Sequence, residues 1–329
     1  MRTFSAAAFA ALASTTLAAP VHLHKRQESL DISQTLQNIL DNTHGSDLYT
    51  YPTDLTRGIV PKAIHSHNDY WRDVPFYSAL SVGCVSIEAD VWLVNDTLLI
   101  GHERSALTSA RSFDSLYIQP ILSVLRRENP ITQYIQTPTR NGVYDTASDQ
   151  TLYLFVDLKT DGPTTWPYAI RALEPLRQAG YLTTYTRNSS GEYITPGPVT
   201  VIGTGNTPLN QVQPLASRDY FFDANLALLS TTQSNITSYV SPIASTQFSR
   251  YIGSPNATTL DFNSTQLQTI QTQIAFAKSK GIGGRYWDTP AWPVSTRDAV
   301  WKELVGQGVA LLNADDLLAA AGFTGPAGW

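Results

Sequence analysis

Two histidines, an amide and a carboxylate crowd the stretch "KAIHSHNDYW" (62 to 71), just past an apolar run that begins "GIV". Further along, "SIEADVW" sets Glu88 and Asp90 two positions apart. Side chains alternate across a strand, so both acids point to one side together with Ser86 and Trp92, while Ile87, Ala89 and Val91 face the other. Two carboxylates held a few ångströms apart repel unless a proton or a cation lies between them. Hard oxygen ligands in that arrangement suit one divalent cation, Mg2+ or Ca2+. The alternative is a solvent-facing edge strand carrying two unrelated acids.

A third acid strengthens the cation reading. "LYLFVDLKTDG" is a near-continuous apolar strand interrupted by Asp157 and Lys159, again on one side of the chain. A charge at the end of a buried strand must be paired or coordinated, because stripping it of water uncompensated costs several kcal/mol. Asp157 would complete a three-carboxylate site, leaving Lys159 to meet an anionic substrate; a plain Asp–Lys surface pair is the alternative. His102 in "LLIGHE" and His65 in the opening stretch could place an imidazole on either side of the same cation. Such a pair suits phosphodiester cleavage, one histidine taking a proton from the nucleophile and the other protonating the leaving alkoxide, with the metal neutralising phosphoryl charge. The nucleophile would be water or a neighbouring hydroxyl of the substrate, the latter giving a cyclic product. His67 and Asn68 are candidate substrate contacts beside His65. Late in the chain, "GRYWDTPAW" offers Arg285 and Trp287 on one face, which suits a phosphate clamp beside an aromatic wall. Asn206 and Asp223 also fall at expected strand ends.

These residues need a scaffold that brings strand ends together. Strands are expected over 58–67, 84–93, 151–159, 199–205, 220–229, 241–246, 282–288 and 309–315. Helical segments are expected at 75–83, 113–129 with an interruption at Pro120, 164–180, 264–281 and 295–308, with a last helix after 315. A hairpin insertion is expected around "RNSSGEYITPGP". Eight strands mostly separated by helices predict an α/β single domain, a (β/α)8 TIM barrel, whose active site gathers at the C-terminal strand ends.

Composition narrows the classes further. The opening "MRTFSAAAFAALASTTLAAP" has the layout of a secretory signal over residues 1–19, and Lys25-Arg26 marks a candidate propeptide boundary over 20–26. An N-terminal extension over 27–57 then leads to the barrel at 58–322. A secreted, extracellular glycoprotein is expected, with sequons at Asn95, Asn188, Asn235, Asn256 and Asn263. No later apolar run is long enough for a transmembrane segment. The formal charge of −5 without a basic cluster argues against a nucleic-acid partner. The single cysteine, Cys84, excludes an intramolecular disulfide and is expected to be buried and inert.

The succession "IHSHND", "GCVSIEADVWL" and "IGHE" resembles the glycerophosphodiester phosphodiesterase-like branch of the phospholipase C-like phosphodiesterase superfamily, which has a TIM-barrel fold. "HSHNDYWR", "FVDLKTDG" and "GGRYWDTPAWP" look similar to its altered inheritance of mitochondria protein 6-like group, over most of residues 58–320. The resemblance implies that His65 and His102 are the two catalytic histidines and that Glu88 and Asp90 are paired metal ligands. Asp157 falls where a further acidic ligand is expected, and Lys159 matches a basic residue on that strand. Three departures stand out. Ser66 and His67 replace an Arg-Gly pair, so Arg72 or Arg285 would have to supply the missing arginine. Glu103 replaces an aspartate, and Asp157 is the shorter acid. Related sphingomyelinase D enzymes share the two-histidine, Glu-x-Asp logic but commonly have disulfides, a scaffold that one cysteine cannot copy.

The expected function is therefore metal-dependent hydrolysis of a small-molecule phosphodiester, either a glycerophosphodiester or a phospholipid head group. A glycoside hydrolase and a non-catalytic binding protein with a residual cation pocket are the alternatives. The sequence leaves the oligomeric state open.

Overall fold

The computed structural model describes residues 32–51, 53–135 and 137–323, and these fall into two units, one ending at Thr50 and one beginning at Tyr51. The expected signal segment and the Lys25-Arg26 boundary lie outside the described residues. The first unit holds a helix at Gln34–Thr43, started by the Ser33 hydroxyl accepting the Leu36 N–H at 3.2 Å.

Among the described residues, thirteen strands order the second unit. They are β1 (Lys62–Ser66), β2 (Cys84–Val94), β3 (Thr97–Ile100), β4 (Leu152–Leu158), β5 (Thr184–Asn188), β6 (Gly191–Thr195), β7 (Val199–Gly205), β8 (Ser217–Arg218), β9 (Phe221–Phe222), β10 (Ala224–Asn225), β11 (Ile243–Gln247), β12 (Gly283–Trp287) and β13 (Leu312–Ala314). A central seven-stranded sheet runs β13-β1-β2-β4-β7-β9, with β3 paired to β2. Every pairing along that order is parallel, and only β2–β3 is antiparallel. A second parallel sheet runs β10-β11-β12. The expected hairpin insertion is β5–β6, extended by β8 in a small antiparallel sheet. This is a mixed α/β architecture with a parallel centre. Among the described residues neither sheet closes on itself by its own strand pairings. Only Asp223 separates β9 from β10, and one parallel bridge, Arg285 to Leu311, links the second sheet to the residue before β13.

The alternation read from β2 and β4 decides where the core lies. Ile87, Ala89 and Val91 on one side, with Leu154, Val156 and Leu158, are wholly buried in the apolar core. Each such side chain is worth about 1.5–3 kcal/mol when removed from water. Phe155 faces the other way and is also fully buried, with the His65 ring edge-on at 4.9 Å and the Arg285 guanidinium 4.6 Å above its face. It therefore floors the polar side of the sheet.

Several expected elements are redrawn. The single strand expected over 220–229 is broken: the Asp223 N–H donates to Gly203 O while β10 pairs with β11, and Asn225 then caps a 3-10 turn at Leu226–Leu228. The helix expected over 113–129 begins as a π turn, Asp114–Ile118, because Pro120 lacks the N–H that a continuous α ladder needs. The helix over 164–180 is two, Gly162–Ala172 and Glu174–Gln178, divided just ahead of Pro175. Cys84 is buried and its thiol is pushed up to about 12 by burial, as expected of an inert residue. Among the described residues no helix is long and apolar enough to cross a membrane.

Candidate active site

Register brings the acids together. On the parallel β2–β4 pair, Glu88 lies opposite Phe155 and Asp90 opposite Asp157. One oxygen each from Glu88, Asp90 and Asp157 falls within 4.8 Å of the others. Asp90 Oδ2 is 2.9 Å from Lys159 Nζ, which is also 2.7 Å from Asp157 Oδ2. Asp90 Oδ1 is buried without a partner among the described residues. Glu88 Oε2 accepts the Asn68 N–H at 3.0 Å, an amide aimed there by the left-handed backbone of Asn68 at φ 50°. Gly205, at φ +61°, leaves room for Asp157: a Cβ there would sit 2.0 Å from Asp157 Oδ1.

This crowding shows in the acidities. Burial, then the charges of Glu88 and Asp157, push Asp90 up to about 7. Burial also raises Asp157, against the pull of Lys159. Burial alone would lower Lys159, but Asp157 and Asp90 outweigh it and hold the ammonium charged. The donor set fits a hard divalent cation: three carboxylates converge, and one buried oxygen lacks a partner.

The histidines differ in environment. His65 is fully buried, its Nδ1 2.7 Å from Ser86 Oγ and its Nε2, without a partner among the described residues, 4.0 Å from Glu88 Oε2. Burial, then Arg285 and His67, hold its pKa well below the usual imidazole range. His67 points Nε2 to within 3.8 Å of Glu88 Oε2, and its Nδ1 lies 2.9 Å from Asp315 Oδ1. Burial pulls its pKa down, but the Asp315 hydrogen bond and Glu88 outweigh it and the net shift is upward. His102 is half exposed, with Nδ1 3.0 Å from the Tyr70 hydroxyl and 3.4 Å from Asp90 Oδ2.

Every residue singled out as a site candidate from the sequence, except His65 and Arg72, lines one cavity of about 720 Å3. His65 sits behind that wall. Arg285 reaches the cavity but is not an open clamp: Nε donates to Ser245 Oγ at 2.8 Å, Nη1 to Asn313 Oδ1 at 2.9 Å, and Nη2 lies 3.6 Å from Asp223 Oδ2. Nor is Arg72 a substitute, since its guanidinium ties the His67 carbonyl at 2.8 Å and the Asp315 carbonyl at 2.5 Å. Trp287 is 36 % exposed on the wall.

Sequence reasoning missed three residues that organise this site. Tyr70 donates to Asp90 Oδ2 at 2.7 Å while touching His102, Ser86 holds His65, and Asp315 holds His67. Ser86 carried a signal, since it shares the alternating face of Glu88 and Asp90. Tyr70 lies inside the opening stretch, but nothing local tells which carboxylate its hydroxyl meets.

The chain is similar to known proteins over most of its length. The AIM6-like phosphodiesterase domain matches residues 53–223, a span containing both histidines, the three acids and Lys159. The chain is similar to the altered inheritance of mitochondria protein 6 homolog of Arthroderma benhamiae, 54 % identical over 299 residues, covering 89 % of this chain and 93 % of that protein. It is also similar to the altered inheritance of mitochondria protein 6 of Eremothecium gossypii, 34 % identical over 82 % of this chain and 71 % of that protein. The protein of that name from Candida glabrata is 33 % identical over 82 % of this chain and 72 % of its own length. The chain belongs to the AIM6-like phosphodiesterase family, within the phospholipase C-like phosphodiesterase superfamily.

Proposed function

We propose that this protein is a metal-dependent phosphodiester hydrolase acting on a glycerophosphodiester or phospholipid head group. One observation carries the reading: three carboxylate oxygens converge within 4.8 Å beside a buried imidazole whose Nε2 has no partner among the described residues. Glu88, Asp90 and Asp157 would hold one Mg2+ or Ca2+ ion, which when bound would neutralise charge on the phosphoryl oxygens. His65 and His102 form the acid–base pair. His65 uses Nδ1 for Ser86, so Nε2 is its reacting nitrogen, and its neutral state suits it to take a proton. His102 is oriented by Tyr70 and Asp90 through Nδ1, leaving Nε2 for the leaving oxygen. Lys159 keeps the acids paired and presents a positive charge at the cavity wall. Membership in a phosphodiesterase family weighs against the glycoside hydrolase alternative.

A second assignment has its own observation: the imidazole on the cavity wall is that of His67, not His65. The test is a panel of glycerophosphodiesters, lysophospholipids, sphingomyelin and phosphoinositides, with and without chelator, on the parent, His65→Ala, His67→Ala and Glu88→Gln. Cleavage abolished by chelator, by His65→Ala and by Glu88→Gln supports the reading. Loss in His67→Ala with His65→Ala active transfers the base to His67. Equal cleavage by all four proteins would sink the site assignment, and cation binding without turnover of any ester would favour a binding protein.

The same reading takes the two parallel sheets as one (β/α)8 ring, supported by the single-residue step at Asp223 and the Arg285–Leu311 bridge. It also takes the protein as secreted. The five sequon asparagines are all exposed, as glycosylation requires. Glycosidase sensitivity of the protein from culture medium tests this; an unglycosylated protein confined to cells would overturn it.

A further inference from the structure

Beyond the three acids and the histidines, the cavity continues along a wall formed by Asp223, Asn225, Gln233 and Trp287. The Asp223 side chain is 4 % exposed; Oδ2 accepts the Thr204 hydroxyl at 2.9 Å, but Oδ1 is buried with no partner among the described residues. Leaving a buried carboxylate oxygen unpaired costs roughly 1–3 kcal/mol, so this atom calls for a donor from outside the chain. Its neighbours supply the opposite polarity. Asn225 Oδ1 accepts from Ala227 N–H at 3.0 Å and from the Thr246 hydroxyl at 3.1 Å, and Gln233 Oε1 accepts the Asn225 N–H at 2.7 Å. Both carbonyl oxygens are therefore committed, which fixes the amide orientations. The two NH2 groups have no partner among the described residues.

Resting on the phosphodiesterase reading, we propose that this wall binds a neutral polyhydroxyl group, the alcohol of the ester, with Asp223 as its specificity residue. A hydroxyl both donates and accepts, so neighbouring hydroxyls can satisfy Asp223 Oδ1 and the two amides at once. The exposed Trp287 face suits the C–H side of such a polyol. An acyl chain would strip water from Asp223 and both amides without replacing their hydrogen bonds. An anionic group would meet Asp223 and Asp288 on the same cavity. A quaternary ammonium group wants several aromatic faces, whereas only Phe222 and Trp287 are aromatic on this wall.

Two measurements test the proposal. Calorimetric titration of the parent with myo-inositol and with choline, in chelator, reads the wall without any reaction. Turnover of 4-nitrophenyl myo-inositol phosphate and 4-nitrophenyl phosphocholine compares esters that share a leaving group and differ only in the retained alcohol. The expected result is binding of inositol and not choline, and a preference for the inositol ester that Asp223→Asn lowers at least about tenfold. Should Asp223→Asn misfold, Gln233→Glu keeps an acceptor for the Asn225 N–H while replacing the free donors with a charged acceptor, and at least the same loss is expected. Binding of choline and not inositol, or an unchanged ester preference in a folded variant, would overturn the subsite. Inositol binding with neither ester cleaved keeps the subsite and removes the phosphodiesterase reading. Cleavage of both esters alike without inositol binding does the reverse.

Discussion

Asp90 and Asp157 are register partners on adjacent parallel strands, and a single ammonium, that of Lys159, lies 2.9 Å from one and 2.7 Å from the other. With Glu88 alongside, three carboxylates face one lysine, a balance that leaves negative charge in a largely buried place. Protonation or a cation must relieve it.

Stability should therefore depend on cation and pH together. Asp90 has a folded pKa of about 7, above its ordinary carboxylate value, so it favours the fold below roughly pH 4 and this contribution is lost as pH rises through about 7. Asp157 shifts in the same direction. In chelator the melting temperature should fall across that window, and the gain on adding Mg2+ or Ca2+ should grow across it, measured by thermal denaturation at each pH. A gain of equal size at pH 4 and pH 8 would rule out carboxylate binding.

Lys159→Met should destabilise the cation-free protein by about 2–3 kcal/mol, less than for a fully buried pair because the lysine is 23 % exposed. Denaturant unfolding in chelator measures this. Added cation should recover a larger share of stability in the variant than in the parent.

Tyr70→Phe removes the hydroxyl shared by Asp90 and His102 while keeping the ring. Removing one hydrogen bond to a charged group is worth about 1.5–3 kcal/mol, so turnover should drop roughly ten- to hundredfold. The pH–rate profile should shift as well, because the Tyr70 hydrogen bond that holds the Asp90 pKa down is lost. Full activity with an unaltered profile would show that the bridge is only structural.

Gly205→Ala should cost at least about 1–2 kcal/mol for a side chain in the left-handed region, before any clash. The added Cβ would also displace Asp157. Cation affinity measured by calorimetry should weaken more than it does for Gly180→Ala, where a Cβ meets nothing at a similar φ of +73°.

The chain's letters determined what is local and periodic. Alternation along 84–93 put Glu88 and Asp90 on one side, apolar patterning placed the strands within a few residues, and the residues singled out in and around those strands named eleven of the cavity's wall residues. Tertiary structure alone decided the register that sets Asp90 against Asp157, the reach of Asp315 back to His67, the sealing of His65 behind the wall and the capture of Arg285 by Ser245 and Asn313. It also broke the strand expected over 220–229 at Asp223, whose backbone serves one sheet while its successors serve another. The physical reason is range. Alternation and helical spacing act between near neighbours in the chain, whereas register, burial and hydrogen-bond partners depend on which distant segments pack together.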